Sequence, residues 1–223
     1  MKGFILYPTY RIINSKSHVL LFGKLENGQS FLTANSFKPY FYIKEKDLGS
    51  LPKEQEYEKT DFRNFVDEKL VRVYTDIPAE VPKLRKYLED HGAECYEADV
   101  RFASRFLIDN NIKAAIEIKD DDYDQNEYVD RIYTEPTITP TSFKPNLKVF
   151  SIDIETSADG KKLYSIAICS EGFQKALIVG KKKIKKAMVF KDEETLLEKF
   201  KDIILEEDPD IITGWSVIDF DLN

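Results

Sequence analysis

The acids Asp153 and Glu155 stand two residues apart in Leu147-Lys-Val-Phe-Ser-Ile-Asp-Ile-Glu-Thr156, a stretch that otherwise reads as a buried strand. Side chains alternate across a strand, so Phe150, Ile152 and Ile154 share one face while Ser151, Asp153 and Glu155 share the other. Both carboxylates therefore point the same way. Neighbouring carboxylates repel, and a shared proton or a divalent cation relieves the repulsion. With oxygen-only ligands the natural cations are Mg²⁺ and Mn²⁺. An edge strand with a solvated acidic face accounts for the same letters, so the rest of the chain has to decide.

A second acid pair, Asp219 and Asp221, follows in Gly214-Trp-Ser-Val-Ile-Asp-Phe-Asp221, where the pattern turns into a helix. Acids supplied by a strand and by a separate later element suit a carboxylate cage for two-metal phosphodiester chemistry. Residues two apart on a helix point about 200° apart, so only one of the second pair is expected to face such a cage.

Positioning those acids falls to an α/β unit over residues 147–223. Residues 148–155, 163–169 and 174–179 read as antiparallel strands joined by short turns. Asp192 caps a helix that carries Leu196, Leu197, Phe200, Ile203 and Ile204 on one face. Asp208-Pro209 stops it, residues 210–213 form a further strand, and the unit is expected to be incomplete at Asn223. The Pro-rich residues 136–146 read as a linker. Before it, residues 1–135 form an N-terminal domain. Its strands are expected at residues 4–7, 19–23, 30–34, 37–43, 69–74, 93–97, 112–118 and 128–133, and its helices at 82–90 and 102–109. Asn27-Gly28 signals a hairpin turn, Pro39 belongs at a strand start or edge, and residues 44–67 read as polar loop with one short helix.

Composition sets the outer bounds. A chain of 223 residues with 42% hydrophobic content can bury a real core. No apolar run approaches the ~20 residues of a membrane span, and no signal peptide is visible, so a cytoplasmic location with no membrane partner is expected. The net charge of −7 argues against nucleic acid when taken whole. Charge is unevenly spread, however, with acids in Asp120 to Asp124 and bases in Lys181 to Lys186, each by default a solvated face. Cys95 and Cys169 lack a CxxC spacing and read as buried, reduced thiols.

Asp153-Ile-Glu-Thr156 resembles the first exonuclease motif of the family B DNA polymerases, and Trp215-Ser-Val-Ile-Asp-Phe-Asp221 resembles the second. Tyr96-Glu-Ala-Asp-Val-Arg101 with Arg105-Phe-Leu107 resembles the bacterial polymerase II branch, whereas Phe37-Lys-Pro-Tyr40 is closer to the archaeal branch. The resemblance implies an α+β N-terminal domain with an RNA-recognition-like sheet, then the first part of a ribonuclease H-like 3′–5′ exonuclease. Asp153 would bridge two Mg²⁺ or Mn²⁺ ions, Glu155 would hold the first and orient the attacking water, and Asp221, favoured over Asp219 by its Phe-Asp context, would serve the second. Trp215, Ser216 and Phe220 would contact nucleic acid. Ser216 stands where the family usually carries Asn.

Tyr40, with Phe41 and Tyr42, is a candidate for base stacking. Pro39, Tyr40, Pro78, Val81, Phe102 and Arg105 match a template-uracil pocket of archaeal relatives. The implied partners are DNA, as primer-template and single-stranded 3′ end, and a sliding clamp bound through a later part of the protein, with a nucleoid-associated location. The third exonuclease motif and the polymerase domains are expected beyond Asn223, so this portion of a DNA-directed DNA polymerase is expected to be inactive alone. Two other readings stay open: a self-contained short metal-dependent nuclease, and a non-catalytic single-stranded DNA-binding module.

Overall fold

The computed structural model describes residues 1–222, and Asn223 lies outside the described residues. Two compact units divide the chain between Pro145 and Asn146.

The N-terminal unit comprises β1 (Lys2–Ile13), β2 (Lys16–Leu25), β3 (Ser30–Ser36), β4 (Tyr40–Lys44), β5 (Tyr57–Arg63), β6 (Lys69–Tyr74), α1 (Val81–Asp90), β7 (Cys95–Tyr96), α2 (Phe102–Asp109), β8 (Ala115–Ile118), β9 (Arg131–Thr134) and β10 (Ile138–Thr141). They build a six-stranded sheet in the order β10-β8-β1-β2-β3-β9 and a four-stranded sheet in the order β5-β6-β4-β7. The β2–β3 turn runs through Asn27-Gly28, where Gly28 adopts φ 87°, a value open to glycine and strained for other residues. Against the larger sheet α2 packs Phe102, Ala103 and Phe106 onto Ile5, Val19, Leu21 and Phe31. Gly23 is required there: a Cβ on it would lie 2.1 Å from the Phe4 carbonyl oxygen and 2.5 Å from the Phe31 ring, beside a bulge in β1 between Ile5 and Tyr7. The smaller sheet buries Phe41, Ile43, Val71 and Val73 under Leu88 of α1.

Two expectations need correction here. Residues 44–67 hold the expected short helix at Glu45–Ser50 but are not otherwise all loop, because β5 lies within them and pairs with β6. Six of its seven residues are exposed, so no alternation betrays the strand. Residues 136–146 are not all linker either. Within them β10 closes the edge of the larger sheet by pairing with β8, and Pro140 sits on that edge strand, where its missing N–H costs little.

The C-terminal unit comprises β11 (Val149–Thr156), β12 (Leu163–Ser170), β13 (Phe173–Val179), β14 (Met188–Phe190), α3 (Glu193–Glu207) and β15 (Ile211–Thr213), with the sheet order β14-β13-β12-β11-β15. β14, only three residues long, was not expected from the sequence. The Asp192 carboxylate accepts from the Thr195 backbone N–H at 3.0 Å and so caps α3. Leu196 and Ile203 of α3 cover Phe150, Ile152, Ile166, Ile168 and Leu177, while Leu197, expected on the same face, is 48% exposed. The other face of the sheet is open, and Ser151, Asp153, Glu155, Ala167 and Cys169 are exposed on it.

Cys169 is therefore not the buried thiol its strand context suggests. Cys95 is half-buried, and burial, followed by the nearby Glu89 carboxylate, pushes its thiol up to about 11. A raised thiol pKa leaves less thiolate at neutral pH, and the thiolate is the nucleophile. Labelling with a disulfide reagent near pH 8 should modify Cys169 quickly and Cys95 much more slowly, and equal rates would contradict the burial described. Gly23→Ala should lower the stability of the N-terminal unit by about 1–3 kcal/mol through overpacking, read as an earlier transition in urea denaturation.

Candidate functional site

Lys148 fixes the start of the acid-bearing strand. Its backbone N–H donates to Asp210 Oδ2 at 2.7 Å, its carbonyl accepts from the Asp210 N–H at 2.9 Å, and its ammonium reaches Glu207 Oε2 at 2.7 Å. β11 then runs parallel to β15 and antiparallel to β12, where Asp153 faces Ala167 and Glu155 faces Ser165. Small cross-strand neighbours leave space over both acids. At about 3.3 Å per residue their Cα atoms lie about 6.6 Å apart along the strand. Neither carboxylate has a hydrogen bond or ion pair with any described residue.

After β15 the chain passes Gly214, where a Cβ would lie 2.6 Å from the Ile152 carbonyl oxygen and 3.1 Å from Asp221 Oδ2. Glycine is what allows this close approach. Residues Val217–Asp221 form a single wide π-type turn: the Ser216 carbonyl accepts from the Phe220 N–H at 2.8 Å, and the Val217 carbonyl from Leu222 at 3.0 Å. Asp219 and Asp221 both line one cavity of about 340 Å³, contrary to the expectation that they diverge. Ile152 and Ile154, the alternate set to Asp153 and Glu155, wall that cavity. Asp221 Oδ2 is buried with no hydrogen-bond partner among the described residues. Trp215 is 98% exposed, Ser216 is exposed, and Phe220 is about half exposed.

The oxygen-only donor set suits a hard divalent cation, and the orphaned oxygen of Asp221 is the kind of atom such an ion would satisfy. The structure nevertheless leaves the three acids apart. Among the described residues no group of three or more side chains converges at metal-holding distance. What the chain presents is a strand pair on an open sheet face, with Asp221 beyond it.

The N-terminal unit does bring its candidates together. Pro39, Tyr40, Pro78, Val81, Phe102 and Arg105 all line one cavity of about 360 Å³, within the usual range for small-ligand sites. The Tyr40 hydroxyl donates to Asp109 at 2.6 and 2.7 Å, and burial together with that carboxylate raises the phenol well above its ordinary pKa. Arg105 pairs with Glu97 at 2.6 Å. Glu97 adopts φ 58°, a left-handed backbone that costs on the order of 1 kcal/mol; its carboxylate and carbonyl both hold the guanidinium.

Base stacking on this sheet meets a steric objection. Phe41 is fully buried, while Tyr40 and Tyr42 are each 7% exposed. The Arg72 and Arg105 guanidiniums lie 4.4 and 5.0 Å from the Tyr40 ring centroid. Tyr40 can therefore wall a cavity but offers no ring face to a base. Sequence reasoning missed Asp109 and Glu97, whose partners are 69 and 8 residues away. It also missed Gly214, although a glycine between a strand and an acid-bearing turn is a signal of close backbone approach.

Residues 93–223, more than half of the chain, match the family described as DNA polymerase family B, exonuclease domain. The chain is 26% identical over 232 residues to DNA polymerase II of Escherichia coli strain K12 and 27% identical over 248 residues to a DNA polymerase of Archaeoglobus fulgidus. Each alignment covers 99% of this chain and 29% of the relative. The fold is similar to that of the family B DNA polymerase from Pyrobaculum calidifontis, with a TM-score of 0.73 at 22% identity over 99% of this chain and 31% of that one. No helix among the described residues is long and apolar enough to cross a membrane. With the exonuclease-domain match running through both acid pairs, the chain belongs to the family B DNA polymerases.

Proposed function

We propose that residues 146–222 are the beginning of the 3′–5′ proofreading exonuclease of a DNA-directed DNA polymerase, and that the substrate is a single-stranded DNA 3′ end. The observation that carries this reading is the unpartnered pair Asp153 and Glu155 on an open sheet face, inside a chain of this family. Asp153 and Glu155 would hold Mg²⁺ or Mn²⁺, and Asp221, with its orphaned oxygen, would be the third donor. Bound there, the ions would supply Lewis-acid stabilisation of the attacking and leaving oxygens of phosphodiester hydrolysis. Glu155 would also accept a hydrogen bond from the attacking water and so orient it. Trp215, free of packing, would stack on a terminal base, an interaction worth about 1–3 kcal/mol. Ser216 and Phe220 would flank the same strand. Template-directed synthesis and a sliding-clamp contact would belong to other regions of such a polymerase, and no residue of this chain is assigned to them.

A second activity is supported by the cavity in the N-terminal unit, whose six matching residues line one space. We assign it the capture of a template uracil, with the walls rejecting the 5-methyl group of thymine. Rejection of one methyl group is worth on the order of 1–3 kcal/mol, or about 10- to 200-fold.

Three measurements check these assignments. Mn²⁺ titration followed by electron paramagnetic resonance should show binding that falls at least about tenfold in Asp153→Ala; unchanged binding would remove the strand pair from the metal site. Digestion of a 5′-labelled single strand with Mn²⁺ should give no 3′ shortening, because the three acids do not converge. A ladder abolished by Asp153→Ala would instead establish a self-contained nuclease. Single strands containing uracil should bind at least about tenfold more tightly than their thymine counterparts, and equal affinity would end the pocket assignment.

A further inference from the structure

The loop between β13 and β14 carries Lys181, Lys182, Lys183, Lys185 and Lys186, five of the 33 basic residues in a chain of net charge −7. A run of this kind is ordinarily a solvated face. Two observations set it apart. First, Lys183, Lys185 and Lys186 line the same cavity of about 1150 Å³ as Ser151 and Asp153, so the loop stands over the open face that bears the acid pair. Second, all five lysines are exposed, and among the described residues none has a carboxylate within ion-pairing distance. Some lysines elsewhere are paired, such as Lys44 with Glu68 and Glu94, Lys59 with Glu45 and Lys148 with Glu207. Others, such as Lys83 and Lys86, are exposed and unpaired among the described residues, so what distinguishes the loop is the crowding of five unpaired lysines into six positions beside the acid-bearing cavity. Charges held together without counter-charges repel one another unless a polyanion or salt neutralises them.

We infer that the Lys181–Lys186 loop is a phosphate clamp that holds the backbone of a DNA single strand across the open sheet face, upstream of the bond presented to Asp153. This rests on the proofreading reading and adds to it the element that supplies affinity. Besides Asp153 and Lys175, the cavity is lined on its sheet side by Ser151, Ala167, Cys169, Gln174 and Ala176, small or uncharged side chains that leave room for an extended strand. Lys183, Lys185 and Lys186 border the same space as Asp153. They thus act on the same stretch of phosphates as the acids. Flexible ammonium groups on such a loop track a backbone without reading its bases, which is what removal of any mispaired end requires.

The test uses the whole chain and a fluorescein-labelled oligothymidylate, with anisotropy recorded as a function of salt. For single strands log K falls with log salt at about −0.7 per neutralised phosphate, so three lost contacts should shallow the slope by about 2. Lys183→Gln/Lys185→Gln/Lys186→Gln should show that change, with affinity at low salt reduced on the order of tenfold. The charge-matched control Lys83→Gln/Lys86→Gln/Lys201→Gln, exposed positions away from the cavity, should leave the slope unchanged. Lys183→Arg/Lys185→Arg/Lys186→Arg should retain it. Equal losses in the loop variant and the control would reduce the effect to net charge and overturn the clamp, as would an unchanged loop variant or an equal loss in the arginine variant. A wild-type chain that fails to bind the single strand would overturn it too. The Mn²⁺ titration of Asp153→Ala fails or succeeds separately from these outcomes, so the metal site can stand while the clamp falls.

Discussion

Strand β11 carries opposite obligations on its two faces. Phe150 and Ile152 are almost fully buried against α3, each contributing about 1.5–3 kcal/mol by leaving water. Asp153 and Glu155, which follow them on the opposite face, must stay in water, since an unpaired carboxylate in a core costs several kcal/mol. A slip of one residue in register would exchange the two sets. The penalty falls on both sides at once, so the pairing with β12 and β15 is strongly specified, and with it the direction in which the acids point. The lock at Lys148, bonded through its backbone to Asp210 and through its ammonium to Glu207, sets that register where the strand begins. Orientation of the candidate chemistry is in this sense a by-product of hydrophobic burial.

Burial organises the N-terminal cavity differently. Tyr40 and Arg105 line a space that a ligand could enter, yet each is more than nine-tenths buried as a whole residue. Such polar groups are tolerated only when their hydrogen bonds are met. Asp109 meets the Tyr40 hydroxyl, and Glu97, at the cost of a left-handed backbone, meets the two terminal nitrogens of Arg105, while Arg105 Nε stays buried without a partner among the described residues. The cavity is thus rigid through its supports. Its walls are preorganised, which favours discrimination by shape over adaptation to the ligand.

Elements with one buried face were legible in the sequence, because alternation or a 3.6-residue repeat records that face directly. β11, β12, β13, α2 and α3 are of this kind. β5 was not, since it is an edge strand exposed on both sides, and β14 is too short to carry a period. Pro140 concealed β10, because proline in a strand is admissible only on an edge, and edge position is a property of the whole sheet. The same division holds for the candidate residues. Asp153 and Glu155 were singled out by type and spacing and Asp221 by its resemblance to a family motif, whereas the surroundings of Asp109, Glu97 and the lysine loop are set by neighbours that only folding brings near. The wide turn at Val217–Asp221 defeated the helical-wheel argument about Asp219 and Asp221, because a 100° step per residue does not apply to it.

Net charge averages over a surface on which the charges are unevenly placed, and the open face is an example. Two unpaired carboxylates repel an approaching phosphate, each by about 0.6 kcal/mol at 7 Å in water. A polyanion would therefore avoid this face if the acids stood alone. Five unpaired lysines on the loop above outnumber them and reverse the local sign, while the acidic excess resides elsewhere, in runs such as Asp120 to Asp124. A hydrolytic site for a phosphodiester needs both signs: acids to gather divalent ions, and bases to hold the strand that those acids would otherwise repel. The two signs come here from different elements, the acids from strand β11 and the lysines from the β13–β14 connection, so a chain that is acidic overall still carries a local cluster of unpaired positive charge beside its acid pair.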